Sequence, residues 1–187
     1  MNTYLLEIGL EEMPAQMILP AVEQLKTLVN KTCEQHQLSY NDLHTFSTPR
    51  RLTIQILGLP EKQADRSIEL KGPPAAIAKD KDNNWSKAAQ GFAAKNGVDV
   101  AALEIREYEG KDYLFVQRME LGQPVPELLQ GQIEQWISQL NFPKNMRWGS
   151  YRMRFIRPIR WIVSLWNNCV VPVKLEMVEA GNETRGH

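Results

Sequence analysis

The spacing of apolar residues changes along the chain, and the changes mark its elements. Residues 3–10 (TYLLEIGL) place Leu5 and Ile8 among β-compatible neighbours and predict a strand. The period then lengthens, with Ile18, Val22, Leu25 and Val29 recurring at helical spacing. Pro14 suits the first turn of that helix, Glu11 and Glu12 fall where a helix dipole favours negative charge, and Pro20 either sits in an early turn or marks the true start. Alternation returns over 43–59, where Pro49 separates two strands and Leu52, Ile54 and Ile56 share a face of the second. A short strand over 67–71 is stopped by Gly72, Pro73 and Pro74.

Residues 72–85 carry the weakest pattern. Ser86 then caps a helix that Gly97 ends, and 103–121 reads as a hairpin turning at Glu109–Asp112. A third helix over about 124–140 repeats Leu128, Ile133, Trp136, Ile137 and Leu140. Two strands close the chain, Ile159–Trp166 and Cys169–Val178, joined by Asn167-Asn168, because Asn tolerates the positive φ of a tight hairpin. Strand pairs interrupted by single helices, without regular βαβ alternation, predict an α+β fold: a mixed, mostly antiparallel sheet built from hairpins, with about three main helices. Residues 1–187 read as one such region, with a sub-boundary near 72–85.

Composition adds few constraints. At 187 residues, 43% hydrophobic and 24% charged, the chain can bury a core. No apolar run approaches a bilayer span and no signal core opens the sequence, so the expectation is a cytoplasmic protein with no membrane partner. Cys33 and Cys169 are too few for a disulfide framework and read as reduced, buried thiols. His36, His44 and His187 are isolated, which predicts no metal site. No glycine-rich phosphate loop, nucleophile elbow or Cys/His pair occurs, so no catalytic residue is assigned. Glu11-Glu12 read as helix-start electrostatics rather than as an acid–base pair.

Charge is where the sequence becomes specific. The formal net charge is zero, yet no Asp or Glu occurs between Glu134 and Glu176, a window that holds Lys144, Arg147, Arg152, Arg154, Arg157, Arg160 and Lys174. That window is +7 and the remainder −7, a segregation typical of polyanion-binding surfaces. In RMRFIRPIRW, Arg152 and Arg154 alternate with Met153 and Phe155, which on a strand puts both arginines on one face. Arg50-Arg51 follow Pro49 at a strand start, and PKNMRWG puts two cations and Trp148 in a loop. Such a surface can hold phosphates through Arg and stack bases on exposed rings. The competing reading is structural: Phe155 and Trp161 in the core, and the arginines salt-bridged to acids elsewhere in the chain.

The same stretches carry a resemblance. LLEIGLEEMPAQMI, FSTPRRLTI, KGPPAAIAKD, SKAAQGFAAKNG, FPKNMRWG, RFIRPIRWIVSLW and GNETRGH resemble, in order, successive blocks of the beta subunit of bacterial two-subunit glycyl-tRNA synthetase. Leu10 departs from the Thr commoner at that place in the family. The resemblance implies an N-terminal fragment of the beta subunit, with later helical and anticodon-binding domains absent from this chain. It further implies a non-catalytic part of an α₂β₂ glycine–tRNA ligase that attaches glycine to tRNA(Gly) using ATP. In such an enzyme the ATP, Mg and glycine sites lie in the catalytic alpha subunit, so no cofactor is expected in this fragment and the fragment alone is expected to be inactive. The implied partners are the alpha subunit, tRNA(Gly) and the remainder of the beta subunit. On this basis Lys144, Arg147, Arg152, Arg154, Arg157 and Arg160, with Arg50 and Arg51 nearby, are the candidates for tRNA backbone contact. The alternative is an interface module that touches no tRNA. An editing role has little chemical need, since glycine is the smallest amino acid and larger rivals are excluded sterically.

Overall fold

A computed structural model of the protein describes residues 2–80, 84–147, 152–176 and 178–186. Trp148 and His187 lie outside the described residues. The chain divides into two compact units, residues 1–63 with 123–187, and residues 64–122. Among the described residues there are three α-helices and twelve strands, and the fold class is α+β.

In the first unit, β1 (Asn2–Leu10) leads through Pro14 into α1 (Ala15–Gln35). The strands β2 (Asp42–Thr48) and β3 (Arg51–Leu59) follow, and after the second unit the chain resumes as α3 (Val125–Gln139). The remainder is short strands around one long one: β7 (Met146–Arg147), β8 (Arg154–Phe155), β9 (Ile159–Trp166), β10 (Cys169–Val170), β11 (Lys174–Leu175) and β12 (Val178–Gly181). Seven of these strands make one sheet in the order β11-β12-β9-β1-β3-β2, with β10 beside β9. Every pairing in it is antiparallel except β12 with β9. The first strand in sequence is therefore central in space.

Alternation along β1 sets both faces of that sheet. Tyr4, Leu6, Ile8 and Leu10 are fully buried with Leu52, Ile54 and Ile56 of β3 and Ile162 of β9. The same core takes Val22, Leu25 and Val29 from α1, and Leu129, Ile133, Trp136 and Ile137 from α3. Two polar groups enter it with partners. The Trp136 indole N–H donates to Thr32 Oγ1 at 2.8 Å, and the Tyr4 hydroxyl lies 3.1 Å from Ser164 Oγ. Burial pushes the Tyr4 hydroxyl pKa up. Leu5, Glu7 and Gly9 point to the other face.

The chain leaves and re-enters this unit through adjacent backbone. Gln63 N–H donates to the Gln123 carbonyl at 2.9 Å, and Val125 N–H to the Glu61 carbonyl at 3.0 Å. In the second unit, β4 (Arg66–Pro74), β5 (Glu104–Tyr108) and β6 (Lys111–Glu120) form an antiparallel sheet in the order β4-β6-β5. Leu70, Leu114 and Val116 pack with Ala89 and Ala93 of α2 (Lys87–Lys95). Ser86 Oγ accepts the Ala89 N–H at the start of α2. The β5–β6 turn has Glu109 at φ 52° and Gly110 at φ 77°, the two positive φ values of a tight hairpin.

Several expectations change. Helix α1 begins at Ala15, with Pro14 as its cap residue and Pro20 inside an exposed stretch, so its first turn holds no acid. Glu11 and Glu12 thus lie ahead of the helix. Strand β4 continues through Gly72 and Pro73 to Pro74, because a register shift between Lys71 and Pro74 absorbs the missing proline N–H groups. The expected strand Cys169–Val178 is broken at Pro172, which cannot donate to a ladder. Strand β8 is only two residues long, so Arg152 precedes it instead of sharing its face with Arg154. Cys169 is exposed, whereas Cys33 is buried.

Burial, with the Glu34 carboxylate adding to it, pushes the Cys33 thiol up to about 11. The thiolate is the nucleophile, so Cys33 is almost wholly protonated at pH 8. Mass spectrometry after brief iodoacetamide treatment of the folded chain at pH 8 is expected to find Cys169 modified and Cys33 untouched, with both modified in denaturant. Equal labelling of the two in the folded chain contradicts this packing.

Candidate nucleic-acid interface

Three strand ends meet where β1 finishes. Register places Arg51, the first residue of β3, opposite Gly9, and Ile159, the first residue of β9, opposite Leu10. The segments entering β3 and β9 carry the candidate cations, so the antiparallel pairing of β1 with both neighbours gathers Arg50, Arg51, Arg157 and Arg160 at one end of the sheet. Backbone hydrogen bonds between segments distant in sequence fix that end. Leu10 N–H donates to the Arg50 carbonyl at 2.8 Å, Met13 N–H to the Pro49 carbonyl at 2.8 Å, and Glu11 N–H to the Pro158 carbonyl at 3.1 Å.

The cations divide by how they are used. Arg157 Nε donates to the Glu12 carbonyl at 2.9 Å, and Arg160 Nε meets Glu11 Oε1 at 2.6 Å. The Arg160–Glu11 pair is about half exposed, and such pairs contribute only about 0–1 kcal/mol, so it neutralises charge more than it stabilises. Arg50 is half-buried, its Nε without a partner among the described residues and its backbone N–H donating to Thr48 Oγ1. Arg51 is half-buried on the Gly9 face. Lys174 pairs with Glu179 at 3.0 Å.

Lys144, Arg147, Arg152 and Arg154 are different. All four are exposed, and among the described residues none has an acidic partner. Strands β7 and β8 form a separate two-stranded ribbon that sets Arg147 directly opposite Arg154. Directly opposed like charges destabilise a ribbon, and an anion bridging both would remove that repulsion. Glu176 fixes the approach to β8 without neutralising a side chain: its Oε1 accepts the backbone N–H of Arg152 at 2.9 Å and of Met153 at 3.0 Å. Phe155, the other residue of β8, is buried edge-on against Phe142, with ring centroids 5.1 Å apart. An anchored strand thus presents an unpaired guanidinium pair, suited to bidentate phosphate contacts. Among the described residues no cluster of three or more His, Cys, Asp or Glu side chains could hold a metal ion, and no helix is long and apolar enough to cross a membrane.

Residues 4–187 match the family model described as glycyl-tRNA synthetase beta subunit. The chain belongs to the glycyl-tRNA synthetase beta subunit family. It is 49% identical over 186 residues to the glycine–tRNA ligase beta subunit of Lactiplantibacillus plantarum, covering 100% of this chain and 27% of that protein. The same coverage holds for the Picosynechococcus protein of that name at 47% identity, and the Listeria monocytogenes one is 40% identical over 98% of this chain and 27% of its own length. The chain therefore spans about a quarter of the length of these curated relatives.

The core reading of Trp161 and Phe155 holds, but sequence reasoning missed the contacts that tie Trp161 to Glu7 of LLEIGLEEMPAQMI and to GNETRGH. Trp161 is buried, its indole N–H donating to Glu7 Oε1 at 2.8 Å, and the Thr184 hydroxyl donates to the same oxygen. The Arg185 guanidinium lies 5.8 Å from the Trp161 ring centroid. Trp161 reaches Glu7 only because residue 9 has no side chain: a β-carbon on Gly9 would fall 2.0 Å from two indole ring atoms. The available signal was Glu7 and Gly9 at alternate positions of an otherwise apolar strand.

Gly9→Ala is expected to lower stability by at least about 2 kcal/mol, since the indole must leave its place, which corresponds to roughly 4–8 °C in Tm for a chain of this size. Gly131 lies in α3 with nothing within 4 Å of a built β-carbon, so Gly131→Ala is expected to be neutral or stabilising by up to about 1 kcal/mol. Thermal denaturation followed by circular dichroism compares them, and equal melting temperatures would remove the close approach as a constraint.

Proposed function

We propose that the chain is a non-catalytic portion of glycine–tRNA ligase that presents phosphate-binding cations to tRNA(Gly). Family membership supports the ligase context. The observation that carries tRNA contact is the Arg147–Arg154 pair, exposed, directly opposed and without acidic partners among the described residues, with Arg152 and Lys144 flanking it. Arg157 and Arg160 have a subsidiary part, since the Glu12 carbonyl and Glu11 carboxylate already hold their Nε groups. Arg50 and Arg51 belong with them at the strand ends. In this reading the assembled cytoplasmic enzyme pairs beta with the catalytic alpha subunit, where ATP, Mg and glycine bind, and the present chain supplies no cofactor site and no activity alone.

Four phosphate contacts give a log–log salt slope of roughly −3 to −4, on the order of 0.7 to 0.9 per contact. Arg147→Glu with Arg154→Glu, made in the assembled synthetase, is expected to weaken tRNA binding and to flatten the slope by about 1.4 to 1.8. Glycine-dependent pyrophosphate exchange is expected to stay at the wild-type rate. If the folded, assembled variant binds tRNA with an unchanged slope, the ribbon makes no phosphate contacts and the chain serves as an interface module.

A further inference from the structure

Among the described residues of the second unit, α2 packs on one face of the sheet and no helix of that unit packs on the other. Pairing of β4, β6 and β5 puts Glu69 and Lys71, then Tyr113, Phe115, Gln117 and Met119, then Glu104, Arg106 and Tyr108 on the face opposite α2. Five of the eight large exposed apolar residues recorded for the described chain (Ile77, Ile105, Tyr108, Met119 and Leu121) lie in this smaller unit, two of them on this face. Contiguous exposed aromatic area can mark a binding surface, whereas apolar residues scattered singly do not.

The rings form a connected group. Tyr108 meets Tyr113 edge-on at 6.3 Å between centroids and Phe115 at 6.4 Å. Tyr108 is 44% exposed and Tyr113 half-buried, so both offer ring area to solvent above a buried Phe115. Lys71 Nζ caps the two tyrosines, 3.8 Å and 3.7 Å from their ring centroids. Arg106 lies over the Phe115 ring and binds Glu69 at 2.7 Å and Glu104 at 2.9 Å.

Arg106 is shared between two carboxylates and offsets the charge of one of them. Both of its glutamates are held by Arg106, while Lys71 and Lys111 (opposite Tyr108) have no acidic partner among the described residues. Glu107 and Asp112 stand opposite each other in register on the α2 side, and Glu109 lies in the turn. Lys71 and Lys111 therefore stand beside the exposed rings with their ammonium groups available, and the ligand chemistry complementary to rings and ammonium groups together is a planar base carrying a phosphate. We propose that the Tyr108–Tyr113–Lys71 face binds unpaired nucleotides of a single strand, with bases stacked on the tyrosines and Lys71 and Lys111 on phosphates. On binding, Lys71 swings off the rings to a phosphate and leaves their faces to the base. This surface differs from the Arg147–Arg154 ribbon in both unit and chemistry, since it takes bases rather than backbone alone.

The test uses the 187-residue chain and fluorescein-labelled hexanucleotides without self-complementarity, one ribo- and one deoxyribo-, followed by anisotropy. Saturable binding is expected, with the two arms reporting whether the 2′-hydroxyl contributes. Tyr108→Leu with Tyr113→Leu is expected to weaken it about tenfold or more, and the paired Tyr→Phe changes to leave it within about twofold. Lys71→Met with Lys111→Met is expected to flatten the salt slope by about 1.4, and decides the matter if the leucine variant fails to fold. Absence of saturable binding overturns the proposal and leaves the face to a protein partner. Binding that is indifferent to these changes but lost in Arg147→Glu/Arg154→Glu also overturns it, placing single strands on the ribbon. An unchanged tRNA slope in that ribbon variant overturns the ribbon reading alone.

Discussion

The placement of β1 between β3 and β9 is the constraint on which the first unit depends. A central strand must be covered on both faces, and each face of β1 solves this with different residues. Tyr4, Leu6, Ile8 and Leu10 fill the helix side completely. The far side carries a carboxylate and a glycine, which are poor at excluding water alone. Trp161 resolves both problems, because its ring lies on the Gly9 backbone while its N–H meets Glu7. Thr184 then closes over the same carboxylate oxygen, so the chain's opening strand, β9 and residues 182–186 are tied at one point.

That arrangement has a consequence for charge. Bringing the starts of β3 and β9 to the end of β1 concentrates arginines there, and concentrated like charge is unfavourable unless compensated. Compensation comes from the segment between β1 and α1: the Glu11 carboxylate holds Arg160 and the Glu12 carbonyl holds Arg157. Compensation stops short of the ribbon. Glu176 caps the backbone N–H groups of Arg152 and Met153, and among the described residues no carboxylate neutralises the guanidinium groups of β7 and β8. The acid-free window thus contains two populations of cation, one absorbed by the fold and one presented by it.

Much of the fold was legible because its signals are local. The spacing of Val22, Leu25 and Val29, the Ser86 cap and the alternation of Leu52, Ile54 and Ile56 each depend on a few neighbouring residues, and each is where the pattern put it. The misread positions depended on partners far away in sequence. Glu11 looked like a helix-start charge because Arg160 is 149 residues distant. Arg152 looked like a strand neighbour of Arg154 because nothing nearby signals that Glu176 holds the backbone ahead of β8. The Glu7–Trp161–Thr184 contact needed the strand order itself, which no periodicity encodes.

The division of the cations is the central claim, and amide hydrogen exchange on the assembled synthetase, with and without transcribed tRNA(Gly), tests it most directly. Residues 9–13 and 159–163 are already hydrogen-bonded within the sheet and its strand-end contacts, so tRNA is expected to leave their exchange unchanged. Peptides covering 144–147 and 152–155 are expected to gain protection, and to do so less at high salt. Protection that appears on adding the alpha subunit without tRNA, or that tRNA leaves unchanged at the ribbon, would contradict the account.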